Sequence, residues 1–263
     1  MNVTVTMPYY KVGPNIRRAV LSIVNQTYPH WRLVIVNDAD PDPPWQWIDD
    51  IADERIVRFD MPENRGRYFI DAVIYEACQP ESWAMQDPDD FAEPDRFERM
   101  VPLAEKYGAG FAPSWWHKNG GRVFSANMLD EKPSHAKLAH HVGYGSGVIS
   151  GERLRQVGGF HPGYRIGYDT YLMNVTKTIG PWGTYPKPLQ NKVKRPGSLT
   201  TSPETKWGSP QRKRARADLN LMFRHAVKLH RAGRPPSRAV STTIAAEIAD
   251  DVSRHAAMLR ERL

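Results

Sequence analysis

The sequence holds one cysteine, Cys78, in 263 residues, so it cannot form an internal disulfide and a reducing setting is expected. It has no run of eighteen apolar residues, and hydropathy therefore gives no membrane-spanning helix. Met1-Asn2-Val3-Thr4-Val5-Thr6 enters a strand pattern at once, without the charged and apolar regions of a signal peptide. These features predict a cytoplasmic, soluble chain, with peripheral membrane association left open. No G-x-x-x-x-G-K-[ST], G-x-G-x-x-G or H-E-x-x-H motif occurs, which removes the P-loop, Rossmann dinucleotide and zincin readings. There is no internal repeat.

Charge is present but unevenly placed. Residues 1–186 carry 19 Lys/Arg and 23 Asp/Glu, residues 187–238 carry 14 and 2, and residues 239–263 carry 3 and 4. The net +7 therefore comes from one segment. Such concentration points to an anionic partner; the plainer reading is a solvated surface.

The first hundred residues alternate strand and helix patterns. Val3–Thr6, Leu33–Val36, Ile56–Phe59 and Trp83–Gln86 read as strands. Ile16, Ala19, Val20 and Ile23, then Ile70, Val73, Ile74 and Ala77, follow helical spacing, and Ile48–Ala52 reads as a short helix. This order predicts an α/β fold with a mostly parallel central sheet and helices on its faces. Polar residues cluster at the strand exits: Tyr9 and Tyr10, Asp38 and Asp40, then Asp87-Pro88-Asp89-Asp90. In open α/β sheets ligands bind at those carboxyl ends. Three carboxylates in four positions suit a hard divalent cation carrying a diphosphate, Mg2+ or Mn2+; they also suit a helix N-terminus.

The second half is less regular. Gly110–Pro113 and Arg122–Ser125 flank Asn119-Gly120-Gly121, a hairpin signal. Glu152–Val157 reads as a helix, and Asp169 opens another. Residues 181–210 are loop-like, and helices are expected near 211–232 and 237–262, split by Gly233-Arg234-Pro235-Pro236. The expected division is 1–210 for an α/β unit, with halves 1–100 and 101–210, and 211–263 for a basic helical extension.

Several blocks occur in one order: Val5-Thr6-Met7-Pro8-Tyr9-Tyr10, Ala19 to Tyr28, Leu33 to Asp38, Asn64-Arg65-Gly66, Gln86 to Asp90 with Pro94 and Arg96, and Val157-Gly158-Gly159-Phe160 before Asp169. Over about residues 3–210 the chain resembles the GT-A, Rossmann-like glycosyltransferases of family 2, which invert the anomeric centre of a nucleotide-diphosphate sugar. The resemblance implies a UDP-sugar donor and a metal-dependent hexosyltransferase. It assigns Asp38 to the nucleobase, Pro8, Tyr9 and Tyr10 to the base loop, Asp89 to metal, and Asp87 to ribose or metal. It assigns Asp169 as general base and Arg195 to Thr200, including Ser198, as a segment closing over the diphosphate. Asp71 stands where many members carry an Arg; Arg67 is the substitute. No third protein metal ligand is evident beyond the candidates His161 and His225, and Asp169 is also a helix N-cap candidate.

The acceptor is left to two features. Trp115, Trp116 and His141, with His117, His140 and Tyr144, lie on expected acceptor-side loops, where aromatics stack on sugars or bases or simply pack. Arg212, Lys213, Arg214 and Arg216 begin the basic stretch. They suit DNA carrying a hydroxymethylated base, or anionic lipid with a cell-envelope or lipid-linked glycan as acceptor. The concentration of charge favours DNA. A nucleotidylyltransferase or a non-catalytic nucleic-acid-binding protein are the readings of another class.

Overall fold

The computed structural model describes residues 1–118, 121–125, 138 and 144–263. The first half follows the alternation: β1 (Val3–Tyr9), α1 (Asn15–Val24), β2 (Trp31–Asn37), β3 (Ile56–Asp60), α2 (Arg67–Cys78) and β4 (Ser82–Met85). Strands β2 and β4 both pair parallel with β1, and β3 lies parallel outside β2. The chain therefore runs outward from β1 to β3, then returns through α2 to the other side of β1. That reversal creates a switch point between β1 and β4, where the strand ends open a crevice. Strand β2 is buried on both faces over Leu33–Asn37, which is why it reads as an apolar run rather than an alternation. Helix α1 buries Ile16, Ala19, Val20 and Ile23, the four expected positions. The short helix expected over 48–52 is instead a 3-10 turn at Pro44–Trp47, which begins on a proline whose fixed φ suits a first helical position.

The second half comprises β5 (Phe91–Ala92), α3 (Arg96–Tyr107), β6 (Ala109–Phe111), β7 (Ser114–Lys118), β8 (Gly121–Ser125), β9 (Val148–Ser150), α4 (Gly151–Val157), α5 (Tyr168–Ile179), β10 (Gly183–Thr184) and β11 (Gln190–Val193). Strand β9 inserts antiparallel between β4 and β6, giving the order β10-β6-β9-β4-β1-β2-β3. A second, four-stranded sheet has the order β5-β11-β7-β8. The hairpin is present, but its first arm is β7, with Lys118 opposite Gly121. Residues 109–111 belong to the main sheet instead, because their backbone pairs with β9 and β10.

Three helices end the chain: α6 (Pro210–Arg231), α7 (Arg238–Ser241) and α8 (Ala246–Arg260). The single helix expected over 237–262 is thus two. Leu219, Phe223, Val227, Val252 and Leu259 join the same apolar cluster as Phe69, Tyr168 and Leu172. Phe69 meets the His255 ring edge-on at 5.7 Å, seating α8 on α2. The C-terminal helices are therefore part of the main core. No described helix is long and apolar enough to cross a membrane.

Candidate active site

Gln86 and the acidic tetrad leave β4 at the switch point, and β11 brings cations to meet them. The Lys192 ammonium lies 3.2 Å from Asp90 Oδ2 and 3.4 Å from Asp87 Oδ2. Arg67, at the start of α2, pairs with Asp87 and approaches Asp71 at 3.4 Å. Arg195 Nε donates to Asp89 Oδ2 at 2.6 Å, and its Nη1 donates to the Lys11 carbonyl at 3.1 Å. The chain itself thus sets three cations, Arg67, Lys192 and Arg195, against the carboxylates expected to suit a divalent ion.

The environments separate the four acids. Burial works against the charged form of Asp87, but Arg67 and Lys192 outweigh it and hold the group at about 2. Asp89 is pushed up by burial and by the neighbouring Asp87 charge, against the pull of Arg195. Asp90 is almost fully buried; burial raises it to about 7 although Lys192 and the Val193 N–H, at 2.7 Å, favour its anion. Asp71 is wholly buried under Thr6 Oγ1, which donates at 2.7 Å, and burial raises it to about 6. Lys192 is raised: burial alone would lower it, and the Asp90 and Asp87 charges overcome that.

Beneath the tetrad, buried Arg96 ties three segments together. It donates to the Met85 carbonyl at 2.8 Å, Gln86 Oε1 at 3.0 Å, and Ser146 O and Gln190 Oε1 at 3.3 Å. Burial pulls its guanidinium down to about 9.

The β2 exit is built around Asp38. Its two oxygens accept the Arg65 and Gly66 N–H groups at 2.7 and 2.8 Å, and its carbonyl accepts Asn64 Nδ2 at 3.1 Å. Gly66 has φ +83°, and a Cβ there would sit 2.8 Å from Arg165 Cδ. Arg165 in turn donates to the Asn64 carbonyl at 2.8 Å. The tyrosines at the β1 exit divide. Tyr9 is buried, its hydroxyl accepting the Gly13 N–H at 3.2 Å, whereas Tyr10 is 38% exposed and offers the aromatic face. Pro8 is half-buried on β1, paired in register with Val36.

Asp169 lies in the first turn of α5 and is reached from α2. Tyr68 Oη donates to Asp169 Oδ1 at 2.9 Å and accepts the Asp169 N–H at 3.2 Å. The adjacent residues Arg67 and Tyr68 thus hold one tetrad acid and Asp169. Ser198 lies in a turn closed by Thr201, with its Oγ 3.0 Å from the Thr200 and Thr201 hydroxyls.

Of the residues expected on the acceptor side, Trp115 and Trp116 lie on β7, in register with Asn191 and Lys192. His141 lies outside the described residues. In the basic stretch, Lys213 and Arg214 are exposed, but the other two arginines are engaged. Arg212 donates to the Thr205 and Leu199 carbonyls at 2.7 and 3.0 Å, and Arg216 to the Leu138 carbonyl at 2.9 Å. Two of the four expected polyanion contacts are therefore directed at backbone.

Sequence reading did not find Lys192 or Tyr68. Lys192 lies on a short strand without periodicity, and Tyr68 reads as one more core aromatic on α2. A hard cation takes one or two carboxylates and completes its shell with phosphate oxygens and water. Asp87 and Asp89, both partly accessible, fit that donor set; among the described residues no three His, Cys, Asp or Glu gather as a metal cluster. His161 accepts the Gly163 N–H at 3.1 Å and packs on Tyr164, away from such a role.

Comparison with known proteins follows the same outline. The sequence model of glycosyl transferase family 2 matches residues 4–153. An uncharacterized glycosyltransferase of Haemophilus influenzae is 27% identical over 101 residues, 38% of this chain and 40% of that protein. The putative teichuronic acid biosynthesis glycosyltransferase TuaG of Bacillus subtilis is 28% identical over 112 residues, 42% of this chain and 44% of that protein. The chain thus aligns with less than half the length of these curated relatives. Among solved structures, S. aureus TarS in complex with UDP-GlcNAc has a TM-score of 0.65 at 13% identity, covering 97% of this chain and 79% of that one. The mannosyltransferase PcManGT from Pyrobaculum calidifontis, in complex with GDP-Man and Mn2+, has a TM-score of 0.58 at 16% identity, covering 98% of this chain and 80% of that one. At these identities the likeness is one of fold.

Proposed function

The chain belongs to glycosyl transferase family 2, with the GT-A fold, and from that premise we propose that it moves a sugar from a UDP-sugar to a hydroxyl of a cell-envelope or lipid-linked glycan, with inversion. The observation that carries the reading is the junction at the start of α2. There Arg67 meets Asp87 and Tyr68 meets Asp169, so two consecutive residues link the acid proposed for the donor to the acid proposed as base.

The roles follow from the chemistry. Asp38 and Tyr10 border the nucleobase side, with Asp38 keeping the 64–66 turn in place. The departing diphosphate gains charge as the glycosidic bond breaks. Arg67, Lys192 and Arg195 are the cations available to neutralise it, and Asp87 and Asp89 would hold a divalent ion. That ion, when bound, would supply further neutralisation of the diphosphate oxygens. Asp169 takes the proton from the attacking acceptor hydroxyl, with its Oδ1 oriented by Tyr68.

Two observations favour an envelope glycan over DNA. Arg212 and Arg216 are turned onto backbone carbonyls. A curated relative, TuaG, carries a teichuronic acid biosynthesis name. The test is a donor screen by UDP release, with envelope glycan acceptors in one arm and hydroxymethyl-base DNA in the other. Metal-dependent release with a glycan acceptor is expected, and Asp169→Asn should keep donor binding while losing transfer. Absence of UDP binding with every metal, or transfer surviving in Asp169→Asn, overturns the assignment.

A further inference from the structure

Trp207 is the most exposed large apolar side chain among the described residues, at 61%, and Leu199 is 51% exposed. Both lie on the strap between β11 and α6. One arginine presents them together: Arg212 donates to the Leu199 carbonyl and lies 4.7 Å over the Trp207 ring. The pair is therefore held by a structured anchor.

The surroundings are basic. Lys194, Lys206, Lys213 and Arg214 are exposed, and Glu204 is the one acid between residues 194 and 214. A tryptophan and a leucine displayed within a cationic rim match the chemistry of an anionic lipid interface. Indole rings settle at headgroup level, apolar side chains enter the acyl boundary, and lysines are drawn to acidic headgroups. A phosphate backbone would use the lysines but offers nothing to Leu199, and Arg212 is already committed to carbonyls.

We propose that the 194–209 strap and the first turn of α6 dock on an anionic lipid surface, with Trp207 and Leu199 entering the headgroup layer. The other end of the strap is Arg195, bonded to Asp89 and to the Lys11 carbonyl. Docking thus holds the acid crevice next to the bilayer. Vesicle binding needs no donor, metal or acceptor, so membrane docking and sugar transfer stand or fall separately.

The experiment is vesicle co-sedimentation of the full chain. One set of vesicles is phosphatidylcholine alone; the other contains roughly one-third phosphatidylglycerol. Partitioning should be at least about tenfold stronger on the anionic vesicles and should weaken with added salt. The double variant Leu199→Ser/Trp207→Ser should lose about tenfold or more of that partitioning while its thermal unfolding is unchanged. Lys206→Gln/Lys213→Gln should erase most of the preference for anionic lipid. No partitioning of the wild-type chain, or full partitioning of the Leu199/Trp207 variant, overturns the proposal. So does tighter binding to duplex DNA that depends on Trp207.

Discussion

The Tyr68 hydroxyl makes two hydrogen bonds to one residue: it donates to Asp169 Oδ1 at 2.9 Å and accepts the Asp169 backbone N–H at 3.2 Å. Tyr68 is buried, and burial with the nearby Asp169 charge pushes its phenol well above its ordinary value, so it is a permanent donor. The carboxylate is thereby fixed in rotation at the first turn of α5. Tyr68→Phe removes both bonds without changing the packing volume. The expected result is a kcat lower by about tenfold to a hundredfold with little change in donor KM, because the base is misplaced rather than removed. Steady-state UDP release reads this split. A donor KM that rises in parallel would mean that Tyr68 supports the donor cleft instead.

The pairing of Asp89 with Arg195 gives a metal prediction. Chelation should abolish transfer, and Mg2+ or Mn2+ should restore it. Asp89→Asn removes the charge that Arg195 meets and that the proposed divalent ion would use. Restoration by metal should then fall by at least about a hundredfold. UDP affinity measured in chelator should change little in the same variant, since Arg67 and Lys192 remain. Calorimetric titration with UDP, with and without Mn2+, checks both statements.

Asp71 yields a pH dependence with a defined sign. Its folded-state value, about 6, lies above the ordinary 3.8 because burial disfavours the anion. Between those values the folded chain binds more protons than the unfolded one, so stability falls as pH rises from 4 to 6. The displacement corresponds to roughly 3 kcal/mol at most. Asp71→Asn keeps an oxygen for the Thr6 hydroxyl and cannot ionise. It should match the wild type near pH 4 and exceed it above pH 6, by about 1–3 kcal/mol. Urea unfolding at both pH values measures the difference; a constant gap would show that Asp71 does not titrate there.

The legibility of the site follows its distance along the chain. The strand exits and the acid tetrad are local features, and a β-α-β alternation is enough to bring them to one edge. Asp71 and Arg67, one helical turn apart on α2, are local in the same way. Lys192 comes from a strand a hundred residues later, and β11 is joined to the tetrad only through tertiary pairing with β5 and β7, whereas Arg195, just past that strand, is reached through the resemblance. Tyr9 and Tyr10 are both expected at the base loop, yet only Tyr10 is exposed. Both faces of β1 are buried near Tyr9, so period-two alternation carries no information about which tyrosine emerges. The basic run shows the converse limit. Composition counts Arg212 and Lys213 alike, yet one caps backbone carbonyls and the other is exposed.

The Lys192 ammonium is the centre of the last prediction. It is mostly buried, within 3.4 Å of Asp87 and 3.2 Å of Asp90, and both acids depend on it for compensation. Lys192→Met would leave the buried Asp90 and the partly accessible Asp87 with one fewer counter-charge, a loss of up to about 3–5 kcal/mol, the range for a broken buried pair. Asp90→Asn alone removes an acid that burial already pushes to about 7, so its effect should be smaller. If Lys192 serves mainly to balance Asp90, the double variant recovers much of the loss, and the coupling energy reaches about 1–3 kcal/mol. If it serves mainly Asp87, the double variant stays near the sum of the single ones. Denaturant unfolding of the four proteins at pH 8 decides between these outcomes. Donor binding separates them again: Asp90→Asn should bind UDP as the wild type does, whereas Lys192→Met should bind it more weakly, since the proposed role gives the diphosphate to the lysine and not to Asp90.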